Sequence, residues 1–133
     1  MQKTIFALAT GNQVAALSVI RVSGADSERV LKKLTLKNTP KERRLTLRNF
    51  YFPKSNKKLI DSCLVVWMPA PRSYTGEDCI EIYSHGGDAV FQGFFSALSS
   101  FTNVRYAEHG EFSKRAIHII SFIAWMAAMF YLP

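Results

Sequence analysis

Short apolar runs that end at turn residues are the feature that most constrains the fold of this chain. Runs of this kind occupy residues 4–9, 17–22, 59–68 and 79–83, and glycine, proline or asparagine follows each of them closely. Such a pattern is typical of β-strands, so we expect a strand at each run. Weaker patterns predict two more strands, over residues 45–52 and 104–107. The turn residues between 45–52 and 59–68 predict that these two strands form a hairpin.

Two stretches show helical periodicity instead. Val30, Leu31 and Leu34 follow an acidic start and share their stretch with two lysines near its end, which predicts an amphipathic helix that ends near Leu36. The apolar residues of 89–98 predict a second helix. A third helix is expected after a loop over residues 109–113, with Ser113 as its candidate N-cap. Strands and helices without strict alternation predict an α+β fold, with a mixed β-sheet and flanking helices.

Length and cysteine usage bound the class of protein. The chain has 133 residues, enough for one domain with a core that needs no disulfides. Cys63 and Cys79 both lie in apolar, strand-like runs, and no charged leader with an apolar stretch opens the sequence. We therefore expect free, buried thiols and a cytoplasmic location.

The positive charge of the chain is concentrated between residues 29 and 58. This segment has one acidic residue and is net +10, while the rest of the chain is net −3; its basic residues are Arg29, Lys32, Lys33, Lys37, Lys41, Arg43, Arg44, Arg48, Lys54, Lys57 and Lys58. A solvated face explains this pattern, and so does a surface for a polyanion such as nucleic acid. Phe50, Tyr51 and Phe52 do not predict a stacking platform, because neighbouring strand residues point to opposite faces.

Residues 117–133 differ in character from the rest. The stretch from Ile117 to Leu132 contains no Asp, Glu, Lys or Arg. A membrane-spanning helix needs about 20 apolar residues, so this tail is marginal as an anchor. A helix that packs on another surface, or a stretch not selected to fold, explains the tail more simply.

The sequence contains few motifs that are typical of catalytic or metal-binding sites. The sequence has no G-x-x-x-x-G-K-S/T phosphate loop, no G-x-G-x-x-G and no G-x-S-x-G, and neither cysteine belongs to a CxxC pair. We therefore predict no catalytic and no metal-binding residues. Arg21 and Glu81 are lone charges within apolar strands, and the turn at 84–87 opens a helix where backbone N–H groups could meet an anion. An exposed sheet face and a tight turn explain these features equally well.

Five segments, taken in order, resemble the N-terminal domain of the tRNA-modification GTPase family MnmE, also called TrmE. The resemblance covers about residues 1–116, and its most specific parts are the Tyr-Thr-Gly-Glu-Asp, His-Gly-Gly and Gly-Glu-Phe-Ser-Lys-Arg-Ala blocks. The five segments are residues 5–10, 19–24, 69–78, 81–87 and 110–116.

The resemblance implies an α+β fold similar to the tetrahydrofolate-binding fold of aminomethyltransferases. It also implies that the domain dimerises and binds 5-formyl- or methylene-tetrahydrofolate, the carbon source for the 5-position of the tRNA wobble uridine. Arg21 and Glu81 fall where the family contacts the folate. The family's GTPase domain has no counterpart in this chain, so whether the chain is an enzyme stays open. An MnmG (GidA)-like flavoprotein and tRNA are the implied partners.

The sequence departs from the family after Ala116. The family continues with Phe-Leu-Asn-Gly-Lys, whose lysine is a further folate contact, but Ser121 stands at that place. Codons such as AAT AAT AAG, for Asn-Asn-Lys, give Ile-Ile-Ser when they are read one nucleotide out of frame, and Ile-Ile-Ser stands at residues 119–121. We therefore expect residues 1–116 to form the family domain and residues 117–133 to be a frameshifted tail on a truncated gene copy. A basic RNA-binding module and a non-functional fragment are the alternative interpretations.

Overall fold

A six-stranded mixed sheet with helices forms the fold. The computed structural model describes residues 2–9, 17–55 and 57–117. The strands are β1 (Thr4–Leu8), β2 (Leu17–Ser23), β3 (Thr46–Tyr51), β4 (Leu59–Met68), β5 (Cys79–His85) and β6 (Val104–Tyr106). The helices are α1 (Ser27–Thr35) and α2 (Asp88–Ser99), and residues 111–117 are also helical. The predicted α+β fold with a mixed sheet is confirmed.

The strand order is β3-β4-β5-β2-β1-β6, so β3 and β6 are the edges. Strands β1 and β6 pair in parallel, and the other neighbours pair antiparallel. The predicted hairpin is β3 and β4, whose pairing shifts between Phe50 and Tyr51. Phe50 is fully buried while Tyr51 is not, which agrees with the prediction that these aromatic residues form no continuous platform.

The core lies between one face of the sheet and the two long helices. Its fully buried members are Phe6, Ile20, Val22, Val30, Leu31, Leu34, Phe50, Val65, Ile80, Ile82, Phe94 and Leu98. Full burial of one such side chain contributes roughly 1.5–3 kcal/mol. Because strand residues alternate, the residues between these core positions lie on the opposite face of the sheet, which we call the open face.

Helix α1 ends as its sequence predicts. Lys32 and Lys33 occupy its last turn, and the C-cap Leu36 has a φ of 57°. The backbone N–H of Leu36 donates to the carbonyl of Lys32, which satisfies one of the free carbonyls at the helix end. The chain then turns away toward the edge strand β3.

Two local predictions are corrected. Strand β5 continues through His85 instead of ending at Tyr83, because Ser84 and His85 still pair with β2 and Asp61 accepts the backbone N–H of His85 at 2.9 Å. Ser113 is not an N-cap, since it lies inside the helical segment 111–117. The carboxylate of Glu111, the first residue of this segment, accepts a hydrogen bond from the backbone N–H of Glu108 at 3.0 Å.

Both cysteines are free and buried, as predicted. Burial raises the pKa of the Cys63 thiol to about 12, with a further contribution from the negative charge of Asp61. Within the described residues, no helix is both long and apolar enough to span a bilayer. The predicted properties of the tail beyond residue 117 lie outside the described residues.

Candidate functional site

Arg21 and Glu81 lie directly opposite one another on the open face. They are paired residues of the adjacent strands β2 and β5, and Nη2 of the arginine is 3.7 Å from Oε2 of the glutamate. Their side chains are 28% and 21% exposed. Because Ile80 and Ile82 are buried in the core, the prediction that the Glu81 carboxylate faces the other way is confirmed.

Glu81 keeps hydrogen-bonding capacity. Tyr83, two residues along the same strand, donates its hydroxyl to Oε2 of Glu81 at 3.3 Å. Burial and the neighbouring Glu81 carboxylate raise the pKa of Tyr83, so its hydroxyl stays protonated and able to donate. Among the described residues, Oε1 of Glu81 has no hydrogen-bond donor. That oxygen can therefore accept a hydrogen bond from a ligand.

Arg21 has unused donors as well. Its guanidinium carbon lies 5.2 Å from the centre of the Tyr74 ring, a cation–π distance. Its Nε is buried and has no acceptor within the part of the chain that the structure describes. Its Nη1 and Nη2 also make no hydrogen bond among the described residues, since Nη2 is 3.7 Å from Glu81, so these two nitrogens can donate to a ligand.

A cavity of about 440 Å³ opens beside Arg21. It lies between the end of β1 and the segment that follows β6, and its lining includes Ala7, Arg21, Tyr106, His109, Glu111 and Phe112. Glu81 is not part of this lining but adjoins it through Arg21. The structure therefore brings the two predicted site residues together, and one of them faces a cavity.

A network of charged side chains holds the wall of this cavity. Arg105 donates to both carboxylate oxygens of Glu111 at 2.7 Å, and Arg115 donates to Glu111 at 3.1 Å and to Glu77 at 2.9 Å. The hydrogen bonds from Arg105, with a smaller contribution from the charge of Arg115, lower the pKa of Glu111 to about 2. Sequence reasoning missed this network, although the i,i+4 spacing of Glu111 and Arg115 is a helical ion-pair signal.

The loop over residues 69–78 carries Tyr74 toward Arg21 and is fixed to the sheet. Ser23 at the end of β2 shares a hydrogen bond with the buried hydroxyl of Thr75 and donates to Glu77 at 2.9 Å. Arg115, which is 5% exposed, clamps the same glutamate from the helical segment. The loop that bears Tyr74 and the wall that bears Glu111 are therefore tied together through Arg115.

The turn at 84–87 presents a different environment. Asp61 accepts from the backbone N–H of His85 and lies 2.9 Å from its Nδ1, and Asp88 occupies the first turn of α2. Gly87 has a φ of 126°, a conformation that glycine adopts without strain. Two carboxylates beside this turn favour a structural role over anion binding. No group of three metal-ligating side chains occurs among the described residues.

The sequence matches a protein family described as "GTP-binding protein TrmE N-terminus", and the match covers residues 4–119. The chain belongs to this family. The TrmE N-terminal match contains every strand and helix that builds the site. Ser121 falls after the match and outside the described residues.

Relatives of this TrmE N-terminal chain carry names from tRNA modification. It is 45% identical over 114 residues to the tRNA modification GTPase MnmE of Zymomonas mobilis, a match that covers 86% of this chain and 26% of that protein. It is 48% identical to the mitochondrial 5-taurinomethyluridine-tRNA synthase subunit GTPB3 of Mus musculus, over 85% of this chain and 23% of that protein. The chain thus spans about a quarter of the length of these relatives.

Proposed function

We propose that this chain is a folate-binding and dimerisation module of the enzyme system that modifies the 5-position of the tRNA wobble uridine. Membership of the TrmE N-terminal family and the names of its relatives support the link to tRNA modification. The GTPase activity named for the relative from Zymomonas mobilis is not assigned to this chain, whose sequence has no phosphate loop.

The observation that carries the folate proposal is the pairing of Arg21 and Glu81 beside a cavity. A carboxylate can accept the paired N–H donors of a pterin and fix the orientation of its ring. An arginine holds a carbonyl or an anionic group through its fork of N–H donors. Both side chains have unused hydrogen-bonding atoms among the described residues, namely Oε1 of Glu81 and the two Nη nitrogens of Arg21.

The surroundings suit a flat, polar ligand of this kind. A volume of about 440 Å³ lies within the range of sites for small molecules and cofactors. Tyr74 is 54% exposed and offers an aromatic surface next to Arg21. We therefore assign 5-formyl- or methylene-tetrahydrofolate as the ligand, bound more weakly than in the family because Ser121 replaces its lysine.

Dimerisation is proposed through the open face of the sheet. Leu47, Leu64 and Tyr83 are cross-strand neighbours in one row, and the two leucines are 63% and 40% exposed. Leu17, 57% exposed, is the first residue of β2 and lies on the same face. Exposed apolar side chains grouped in this way are typical of interaction surfaces. A second copy of the chain would cover them, and we propose an MnmG-like flavoprotein and tRNA as further partners in the cytoplasm.

The folate proposal is tested by equilibrium dialysis of the full chain against 5-formyltetrahydrofolate. We expect saturable binding that Arg21→Ala reduces by about tenfold or more, because a charge-assisted hydrogen bond is lost. The matched control is Arg29→Ala, which removes the same charge. Like Arg21, Arg29 lies against an aromatic ring, with its guanidinium carbon 5.6 Å from the centre of the Phe101 ring. Equal affinity in wild type and Arg21→Ala would rule out Arg21 as a ligand contact.

A further inference from the structure

The basic segment is concentrated at one edge of the sheet, near the end of α1 and along β3. We call Lys33, Lys37, Lys41, Arg43, Arg44 and Arg48 the basic edge. Among the described residues, none of these six has a carboxylate within 4 Å, whereas Arg29 and Lys32 pair with Asp26 and Glu28. The basic edge therefore carries uncompensated positive charge.

A shallow cleft of about 690 Å³, largely open to solvent, lies within this edge. It forms where the chain leaves α1 at Leu36 and turns toward β3, and it is lined by Lys32, Leu36, Lys37, Asn38, Thr39 and Arg48. Three of these residues are cationic, and Asn38 adds the N–H donors of its side-chain amide. The nearby carboxylate of Glu28 is already bound by Lys32 at 2.9 Å and by Thr39 at 3.2 Å.

Arg48 gives the cleft an unused donor. It is paired with Cys63 across the hairpin, so its side chain starts on the helix-covered side of the sheet. Its Nη1 donates to the neighbouring carbonyl of Leu47, whereas its Nη2 makes no hydrogen bond in the described part of the chain. Lys32 and Lys33 in the last turn of α1 offset the partial negative charge of the helix end. Lys37 and Arg48 therefore remain available to an anion.

We propose that this cleft binds a phosphate of an RNA backbone. Arginine matches phosphate oxygens with its planar fork, lysine adds a point charge, and amide donors complete such contacts. The remaining cations of the basic edge then lie near the adjoining phosphates and add sequence-independent affinity. The choice of RNA over other polyanions rests on the proposed role in tRNA modification.

The phosphate site is separate from the folate site. Arg21 and Glu81 lie on the open face, whereas α1 and Cys63 belong to the helix-covered side. Strands β4 and β5 also separate β3 from β2 in the sheet. The chain can therefore hold folate and RNA at the same time.

The test is fluorescence anisotropy of a labelled RNA stem-loop titrated with the full chain over a range of salt concentrations. The double variant Lys37→Gln/Arg48→Gln removes two proposed phosphate contacts. We expect the slope of log K against log salt to fall by about two, and the affinity at about 0.1 M salt to fall by about tenfold or more. The matched control is Lys54→Gln/Lys57→Gln, which removes the same charge from the exposed turn of the hairpin.

The outcomes are distinct. A smaller loss of RNA affinity in the hairpin control than in the cleft variant supports the proposal. Arg48→Lys supports it as well if the variant keeps the salt dependence of wild type but binds RNA more weakly. Equal losses in the two double variants, or no salt-dependent RNA binding by wild type, would overturn the proposal. If the cleft variant fails to fold by thermal denaturation, the exposed single change Lys37→Gln should still lower the slope by about one. Folate titration of the same samples separates the two proposals. A chain that binds RNA but not folate would contradict the proposed folate site and leave the phosphate site standing.

Discussion

Nη2 of Arg21 lies 3.7 Å from Oε2 of Glu81, across the pairing of β2 with β5. This separation exceeds the usual range of a hydrogen bond, so the two charges attract one another without using up their hydrogen-bonding positions. Both side chains are more than one-fifth exposed. The pair therefore combines fixed placement on rigid strands with free donor and acceptor atoms, which is what a binding site requires.

Tyr83→Phe should weaken folate binding by a few-fold. The Tyr83 hydroxyl donates to Glu81 at 3.3 Å, and a typical hydrogen bond contributes about 0.5–1.5 kcal/mol. Without it, the carboxylate is less firmly positioned toward the ligand. Isothermal titration calorimetry with 5-formyltetrahydrofolate measures the change. Tyr51→Phe is the control, because its hydroxyl meets Asn49 on the exposed hairpin, and equal losses in both variants would contradict a role for Tyr83.

Glu111→Gln should make the free energy of unfolding less dependent on pH in the acidic range. The pKa of Glu111 is lowered from 4.5 to about 2 in the folded chain. Its ionised form therefore contributes stability that is fully present above about pH 4.5 and is lost as the pH falls toward 2. Urea unfolding at several pH values measures this dependence. The control is Glu42→Gln, which removes a carboxylate from an exposed ion pair of 3.9 Å and should keep the pH dependence of wild type. A wild-type pH dependence in Glu111→Gln would contradict this stabilising role of Glu111.

Arg115→Met should destabilise the fold by roughly 3–5 kcal/mol, because Glu77 loses its cationic partner and Glu111 keeps only Arg105. Arg115 is 5% exposed and also donates to the carbonyl of Lys3 at 2.8 Å. Arg72→Met removes an arginine from an exposed pair and should cost at most about 1 kcal/mol. Chemical denaturation measures both variants. Similar small losses in the two would show that the network does not hold the cavity wall.

Leu64→Lys should shift the chain from dimer to monomer. Leu64 lies in the apolar row of the open face, and burying a lysine there without a partner opposes association. Leu36→Lys is the matched control, since Leu36 is 53% exposed at the end of α1, away from that face. Light scattering coupled to size exclusion measures the mass. A wild-type monomer, or a Leu64→Lys dimer, would contradict the proposed interface.

Local patterns predicted the features of the site that depend on one strand. The alternation around Glu81 placed its carboxylate opposite the buried Ile80 and Ile82, because the strand period is local information. The partner of Glu81 depends on how β2 pairs with β5, a register that a single segment does not encode. The contacts of Arg115 with Glu77 and Lys3 join distant parts of the chain, so they too lay beyond sequence reasoning.

The helix start near Ser113 shows the same limit at short range. Serine is a favoured N-cap, so the residue type pointed to Ser113. The side chain that reaches back is Glu111, whose position is fixed by Arg105 on β6 as well as by the helix itself. The contacts of Glu111 with a distant strand are not readable from the residue types around the helix start.

The central claim is tested most directly by titrating 5-formyltetrahydrofolate into the full chain and into Glu81→Ala by calorimetry. The account predicts saturable binding by wild type and its loss in Glu81→Ala, with thermal unfolding to show that both chains are folded. Absence of binding by a folded wild-type chain, or unchanged binding in a folded Glu81→Ala chain, would contradict it.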